Sequence, residues 1–308
     1  MEIKKISIIG LGALGVMYGN YINERVPKGS LRIVADNARL QKYKSQGIYC
    51  NGKLCDFTYI TPEAEDPADL LIFAVKFGQL EEAIQTAARQ VGDNTIILST
   101  LNGITSEEYL AKAFHKDRVL LCTVQGMDSV KIGNQMEYHN FGTFSIGTWE
   151  DTITPSLRAV TAFFDQIGLP YEIPSDMKRQ LWNKLMLNVG INQAITVYET
   201  NYGGIQREGE PREIMLQAMK EVVMVAQAMK INLKEEDIRS WDQVIGRLNP
   251  EGMPSMRQDA LAHRPTEVEL FSGTIIRLGN QYHIPTPVNA MLYRRIKELV
   301  KASDTSMQ

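Results

Sequence analysis

The chain has no apolar run of membrane-spanning length, no excess of charge of either sign, no internal repeat, no low-complexity segment, and few cysteines or histidines. Each absence excludes a class of function. A transmembrane helix needs about 20 consecutive apolar residues, so no membrane partner is expected. Thirty-three Lys and Arg stand against 36 Asp and Glu, for a net charge of −3. That balance offers no electrostatic footprint for nucleic acid, and short basic clusters such as Lys42 and Lys44 read as a solvated helix face. Cys50, Cys55 and Cys122 show no metal-ligand spacing and the four histidines are scattered, so no metal site is expected. The first strand opens almost at residue 1, which reads as leaving no room for a signal peptide. A cytoplasmic location and reduced thiols follow as expectations. Cys50 and Cys55 flank an Asn51–Gly52 turn and are placed to face one another.

What is present begins at residues 6 to 22, ISIIGLGALGVMYGNYI. An apolar strand (Ile6, Ile8, Ile9) runs into Gly10, Gly12 and Gly15, and a helical pattern follows at once. G-x-G-x-x-G in strand–turn–helix context is the dinucleotide-binding fingerprint. Gly10 permits the tight turn, Gly12 the close approach of a pyrophosphate, and Gly15 the packing of helix on strand. Backbone N–H groups and the positive dipole end of the helix then face the phosphates, which makes Gly10, Leu11, Gly12, Ala13, Leu14 and Gly15 the cofactor loop. The alternative is a glycine-rich turn in a domain of the same kind that binds nothing.

The length of 308 residues predicts two domains. Strand and helix alternate in the first half: Leu31–Ala35, then helix Ala38–Gln46, a hairpin within Ile48–Ile60, and the continuous apolar strand Asp69–Val75. Helix Gln79–Gln90, strand Thr95–Ser99, helix Ser106–Ala113, strand Val119–Thr123, antiparallel pattern in Tyr138–Gly147 and helix Thr154–Ile167 complete it. Beyond Ile173–Pro174 the pattern is nearly all helical: Asp176–Glu199, Arg212–Met229, Glu235–Leu248, Ser255–Ala262, Thr266–Gln281 and Val288–Lys301. Turn signals stand at Tyr202–Gly204, Asn249–Gly252 and Ile284–Pro287. The expected fold is α/β: a Rossmann-type NAD(P)-binding domain over 1–173 and a helical substrate domain over 174–308. A cleft between such domains is a usual place for a small substrate. Met215, Met219, Met224 and Met229 read as core of the helical half.

Two polar patterns stand out there. Residues 181 to 195, LWNKLMLNVGINQAI, are apolar around most of the helix, yet Lys184, Asn188 and Asn192 stack at i, i+4 and i+8. Such a stripe faces either solvent or a polar pocket, since a buried amide without partners costs roughly 1–3 kcal/mol. The second is PSMRQDALAHRPTEVELFSG, residues 254 to 273, where Glu267 and Glu269 sit among Val268, Leu270 and Phe271, so that one carboxylate points into apolar surroundings. Ser255 and Thr266 are expected as helix caps.

The chain resembles the ketopantoate reductase (2-dehydropantoate 2-reductase) family over almost its whole length. The resemblance rests on GLGALG at the start, AVK at 74–76, LNG at 101–103, HNFGTFSIG at 139–147 and W-x-K-L-x-x-N-x-x-x-N at 182–192. It continues with SM-x-QD from Ser255, the following Thr266–Glu267, and IPTP at 284–287. It implies NAD(P)H-dependent reduction of the ketone of 2-dehydropantoate. It further implies that Lys184 is the proton donor and that Asn188 and Asn192 hold the substrate. By the same match, Ser255 binds the substrate carboxylate and Glu267 lies near cofactor and lysine. Lys76 and Asn102 face the nicotinamide end and the substrate, and Asn201 is a loosely aligned substrate contact.

The resemblance implies NADP(H). The chain departs from it at the end of the second strand, where many relatives carry an arginine that suits a 2′-phosphate. Here stands Asp36, which suits the ribose 2′-OH of NAD(H), with Arg39 three residues on. Two other readings stay open: a reductase of another branched 2-keto acid, and a non-catalytic NAD(P)-sensing protein. Monomer and homodimer are both compatible with the sequence.

Overall fold

A computed structural model describes residues 1–305, with side chains as far as Lys301. The first elements are β1 (Ile6–Ile9), α1 (Ala13–Asn23), β2 (Leu31–Val34), α2 (Asn37–Gln46), β3 (Tyr49–Cys50), β4 (Lys53–Leu54), β5 (Thr58–Ile60), β6 (Leu70–Phe73) and α3 (Leu80–Ala87). Next come β7 (Ile96–Ser99), α4 (Ser106–Phe114), β8 (Leu121–Met127), β9 (Val130–Ile132), β10 (Gln135–Glu137), β11 (Phe141–Gly147), α5 (Pro155–Ile167) and β12 (Tyr171–Glu172). The remainder is helical: α6 (Met177–Val197), α7 (Tyr202–Gln206), α8 (Glu210–Ala228), α9 (Glu235–Ile245), α10 (Ser255–Leu261), α11 (Thr274–Tyr282) and α12 (Pro287–Thr305). The chain divides into two compact units, Met1–Gln180 and Leu181–Gln308. The division falls inside α6, which begins just after the composition change at Ile173–Pro174 and runs unbroken across the boundary. None of the described helices is long and apolar enough to cross a membrane.

The first unit is built on a five-stranded parallel sheet in the order β5-β2-β1-β6-β7. Its strands show no alternation of buried and exposed residues because helices cover both faces; every residue of β1, β2, β6 and β7 is buried, the polar Ser7, Arg32 and Ser99 included. Register sets the functional edge. Ile9 pairs with both Val34 and Phe73, and Phe73 with Ser99. The chain therefore leaves β1 at Gly10, β2 at Ala35–Asp36, β6 toward Lys76 and β7 toward Asn102 along one carboxyl edge, where open α/β sheets bind ligands. Two small sheets flank it, β4-β3-β10-β9 and β12-β11-β8. In the first, Asn51 (φ 47°) and Gly52 (φ 77°) form the turn between β3 and β4, both with the positive φ that a tight hairpin demands. The three cysteines are free and buried, and burial pushes the Cys55 thiol up to about 12.

The second unit packs its helices around α8, which meets α7, α9, α11 and α12. At Gly190 a Cβ would stand 2.6 Å from Met219 Cε, so α6 and α8 approach closely there. Met215 and Met219 are core, whereas Met224 is 46% exposed, a correction to the reading of the methionines as core. Three further expectations change. Tyr202–Gly204 opens the short helix α7 rather than a turn, capped by Asn201. The expected helix Thr266–Gln281 is a π-helical turn, Glu269–Gly273, followed by α11. The expected strand Val119–Thr123 meets the parallel sheet through an isolated bridge between Val119 and Ile97, with the Leu120 N–H donating to the Ile97 carbonyl at 3.1 Å, and β8 then joins β11 in antiparallel pairing.

Candidate active site

In the first unit the glycine loop has the shape of a diphosphate cradle. Gly10 has φ +99°, and a Cβ there would lie 2.6 Å from the Ala74 carbonyl oxygen; at Gly15 it would lie 2.0 Å from the Gly10 carbonyl oxygen. Gly12 is the exposed N-cap of α1 and no side chain caps it, so the first-turn N–H groups remain for an outside acceptor. These features fit a dinucleotide. Leu11 is buried, while Ala13 and Leu14 are half-buried.

At the end of β2, Asp36 caps α2, its Oδ1 accepting from the Arg39 backbone N–H at 2.8 Å. The Asp36 Oδ2 lies 3.2 Å from Arg39 Nη1, which also donates to Glu82 Oε1 at 2.7 Å. Arg39 is thus held between two carboxylates. Glu82 belongs to no motif, and only the neighbourhood of α2 and α3 reveals it. Lys76 is exposed and Asn102 half-buried just beyond β6 and β7, and both carry interactions of their own.

In the second unit the polar stripe of α6 is not a solvated face. Lys184 is 6% exposed, Asn192 5%, and Asn188 is half-buried. Asn192 Nδ2 donates to Asn188 Oδ1 at 3.4 Å. Asn192 Oδ1 accepts from the Met256 N–H at 3.1 Å, with Ser255 Oγ 3.5 Å away, so the start of α10 is brought to the stripe. Asn188 Nδ2 is buried and has no hydrogen-bond partner among the described residues. An orphaned buried donor costs roughly 1–3 kcal/mol, a cost that a ligand oxygen would relieve. Ser255 is not the cap of α10; Pro254 holds that position and Ser255 opens the helix, its hydroxyl turned to Asn192. Thr266 caps no helix either, the π-helical turn starting after Val268.

The two glutamates separate cleanly. Glu269 is exposed and accepts from Tyr293 Oη (2.7 Å) and Lys297 Nζ (3.0 Å) on α12. Glu267 is buried, 8% exposed, and both it and Lys184 carry interactions. Asn201 is occupied locally: its side chain accepts from the Gly204 N–H at 3.3 Å and donates to Glu251 at 3.4 Å.

Residues 6–151 match the family model described as ketopantoate reductase PanE/ApbA, and residues 176–300 match the model of the C-terminal part of that family. A 2-dehydropantoate 2-reductase from Vibrio cholerae serotype O1 is 28% identical over 75% of this chain and 78% of its own length. One from Aquifex aeolicus is 26% identical over 98% of this chain and all of its own. Among solved structures, D-mandelate dehydrogenase with NADH and anilino(oxo)acetate shares the fold at TM-score 0.87 and 21% identity, covering 97% of this chain and 98% of that one.

Proposed function

The chain belongs to the ketopantoate reductase PanE/ApbA family, and from that premise we propose that it reduces 2-dehydropantoate to pantoate, toward pantothenate and coenzyme A, with Lys184 as proton donor. The observation that carries this reading is the α6 stripe: a buried lysine in line with an amide whose buried donor lacks a partner. When bound, the nicotinamide supplies the hydride to the ketone carbon. The Lys184 ammonium stabilises the growing negative charge on the ketone oxygen and delivers its proton there, leaving a neutral amine and the alcohol. Asn188 and Asn192 orient the oxygens of the substrate, Ser255 and Lys76 attract its carboxylate, and Glu267 steadies the lysine. Asn102 faces the nicotinamide end. Free, buried cysteines agree with a reducing cytoplasmic setting.

For the cofactor we infer NADH at least as readily as NADPH. Two carboxylates, Asp36 and Glu82, surround Arg39, and a 2′-phosphate would meet both. Asp36→Arg is expected to move selectivity toward NADPH by about 1–3 kcal/mol, the scale of a charge-assisted hydrogen bond. Titrating both cofactors against wild type and variant measures it; strong NADPH selectivity in the wild type, unchanged in Asp36→Ala, would end the inference.

The substrate is tested by steady-state oxidation of NADH and NADPH with ketopantoate beside other 2-keto acids. Aromatic ones belong in the panel because the D-mandelate dehydrogenase of the same fold was solved with anilino(oxo)acetate. Asn192→Ala is expected to raise KM for the keto acid more than it lowers kcat. It should also cost about 1 kcal/mol of stability, because the Met256 N–H loses its acceptor. An unchanged KM would remove Asn192 from the substrate contacts. Tight cofactor binding without oxidation by any keto acid would favour the sensing protein.

A further inference from the structure

Two residues past Glu267 the chain enters the π-helical turn Glu269–Gly273, which leads directly into α11. Such turns arise where something intrudes on the regular ladder, and they recur at functional sites. The N–H groups of Leu270 and Phe271 both donate to the Glu267 carbonyl (3.0 and 3.2 Å), and that of Gly273 reaches back five residues to Val268 (3.0 Å). Between them, the Ser272 N–H donates to a side chain of another helix: Gln193 Oε1 on α6, at 3.2 Å.

Gln193 is itself held at its other end. Its Nε2 donates to the Val189 carbonyl at 2.8 Å and stands 3.5 Å from Asn289 Oδ1. Ser272 Oγ donates to the same Asn289 oxygen at 2.9 Å. Asn289 in turn donates to Glu221, whose carboxylate accepts the Val288 and Asn289 N–H groups at the start of α12. Gln193, Ser272 and Asn289 have no exposed surface at all. A buried polar cluster of this kind adds little net stability over a well-packed apolar one, and what it contributes is a defined geometry.

Gln193 follows Asn192 on the same rigid helix that carries Lys184. The bond it accepts from Ser272 ties the turn whose first N–H groups donate to the Glu267 carbonyl to the helix of the lysine. We propose that Gln193 is a positioning residue, a strut that acts through Ser272 to hold Glu267 in register with Lys184. The inference rests on the proposed roles of those two residues.

The test is Gln193→Met, close in size but without the acceptor. A misplacement on the scale of 1 Å costs up to about 10²-fold in rate, so kcat is expected to fall by roughly 10–100-fold. KM for the keto acid should stay within about threefold and NADH affinity should stay unchanged, because the glycine loop lies in the first unit. Hydrogen exchange across residues 267–273 should quicken in the variant. If Gln193→Met does not fold, Gln193→Asn keeps the amide but draws it one methylene short of Ser272, and carries the same expectation. Wild-type kcat in Gln193→Met, or exchange across 267–273 that does not change, would overturn the strut. An enzyme inactive on ketopantoate but active on another 2-keto acid counts against the substrate alone, and the strut is then measured with that acid. An enzyme that reduces no 2-keto acid overturns both.

Discussion

Lys184→Ala is expected to lower kcat for ketopantoate reduction by roughly 10²–10⁴-fold, the usual range for loss of a general acid. The lysine is nearly buried, on a helix otherwise lined by Leu181, Trp182, Leu185 and Val189. Holding an ammonium group there costs solvation free energy, and the lysine carries an interaction of its own, so the melting temperature of the variant is measured beside its kinetics. NADH binding should persist, since the glycine loop belongs to the other unit. Glu267→Gln should lower kcat less, because on the proposed roles it removes a charge that supports the proton donor and not the donor itself. A lysine with only a structural role predicts another pattern, in which the melting temperature falls and kinetics stay near wild type. Retention of most wild-type turnover by Lys184→Ala would take the lysine out of the mechanism.

Gly15→Ala is expected to give the second large effect, on cofactor binding. The added methyl would sit 2.0 Å from the Gly10 carbonyl oxygen and 3.2 Å from Ala74 Cβ. The first of these is backbone, so relief requires the loop itself to move. Overpacking of this kind costs about 1–3 kcal/mol, which lowers the melting temperature by several degrees. The displaced loop also loses its approach to the diphosphate, and NADH affinity should fall by roughly 10–100-fold, at about 1.4 kcal/mol per tenfold. Gly29→Ala separates backbone strain from this steric effect. Gly29 has φ +87°, but nothing lies within 4 Å of its Cβ position. That variant should lose some stability and keep its NADH affinity. Equal affinities in wild type and Gly15→Ala, measured by fluorescence titration, would show that the loop tolerates the methyl and is no tight cradle.

Residues near one another in the chain determined much of this protein without help. The G-x-G-x-x-G loop, the apolar strands β1 and β6, the Asn51–Gly52 hairpin and the helical second half were all readable. Each depends on hydrophobic period or on backbone conformations that few residue types adopt, and both are local properties. The i, i+4, i+8 spacing of Lys184, Asn188 and Asn192 was readable for the same reason, although their burial was not. Periodicity places side chains on one face of a helix and says nothing of what lies opposite. Tertiary structure decided that Lys184 and Asn192 are enclosed, that Glu267 is the buried glutamate while Glu269 pairs with Lys297, and that Ser255 turns to Asn192 instead of capping its own helix. It also placed Glu82 beside Arg39 and Gln193 beneath the turn after Glu267. These pairs are 43 and 79 residues apart in the chain. Contacts at such separations form only when whole elements pack, and no local pattern of residues encodes them.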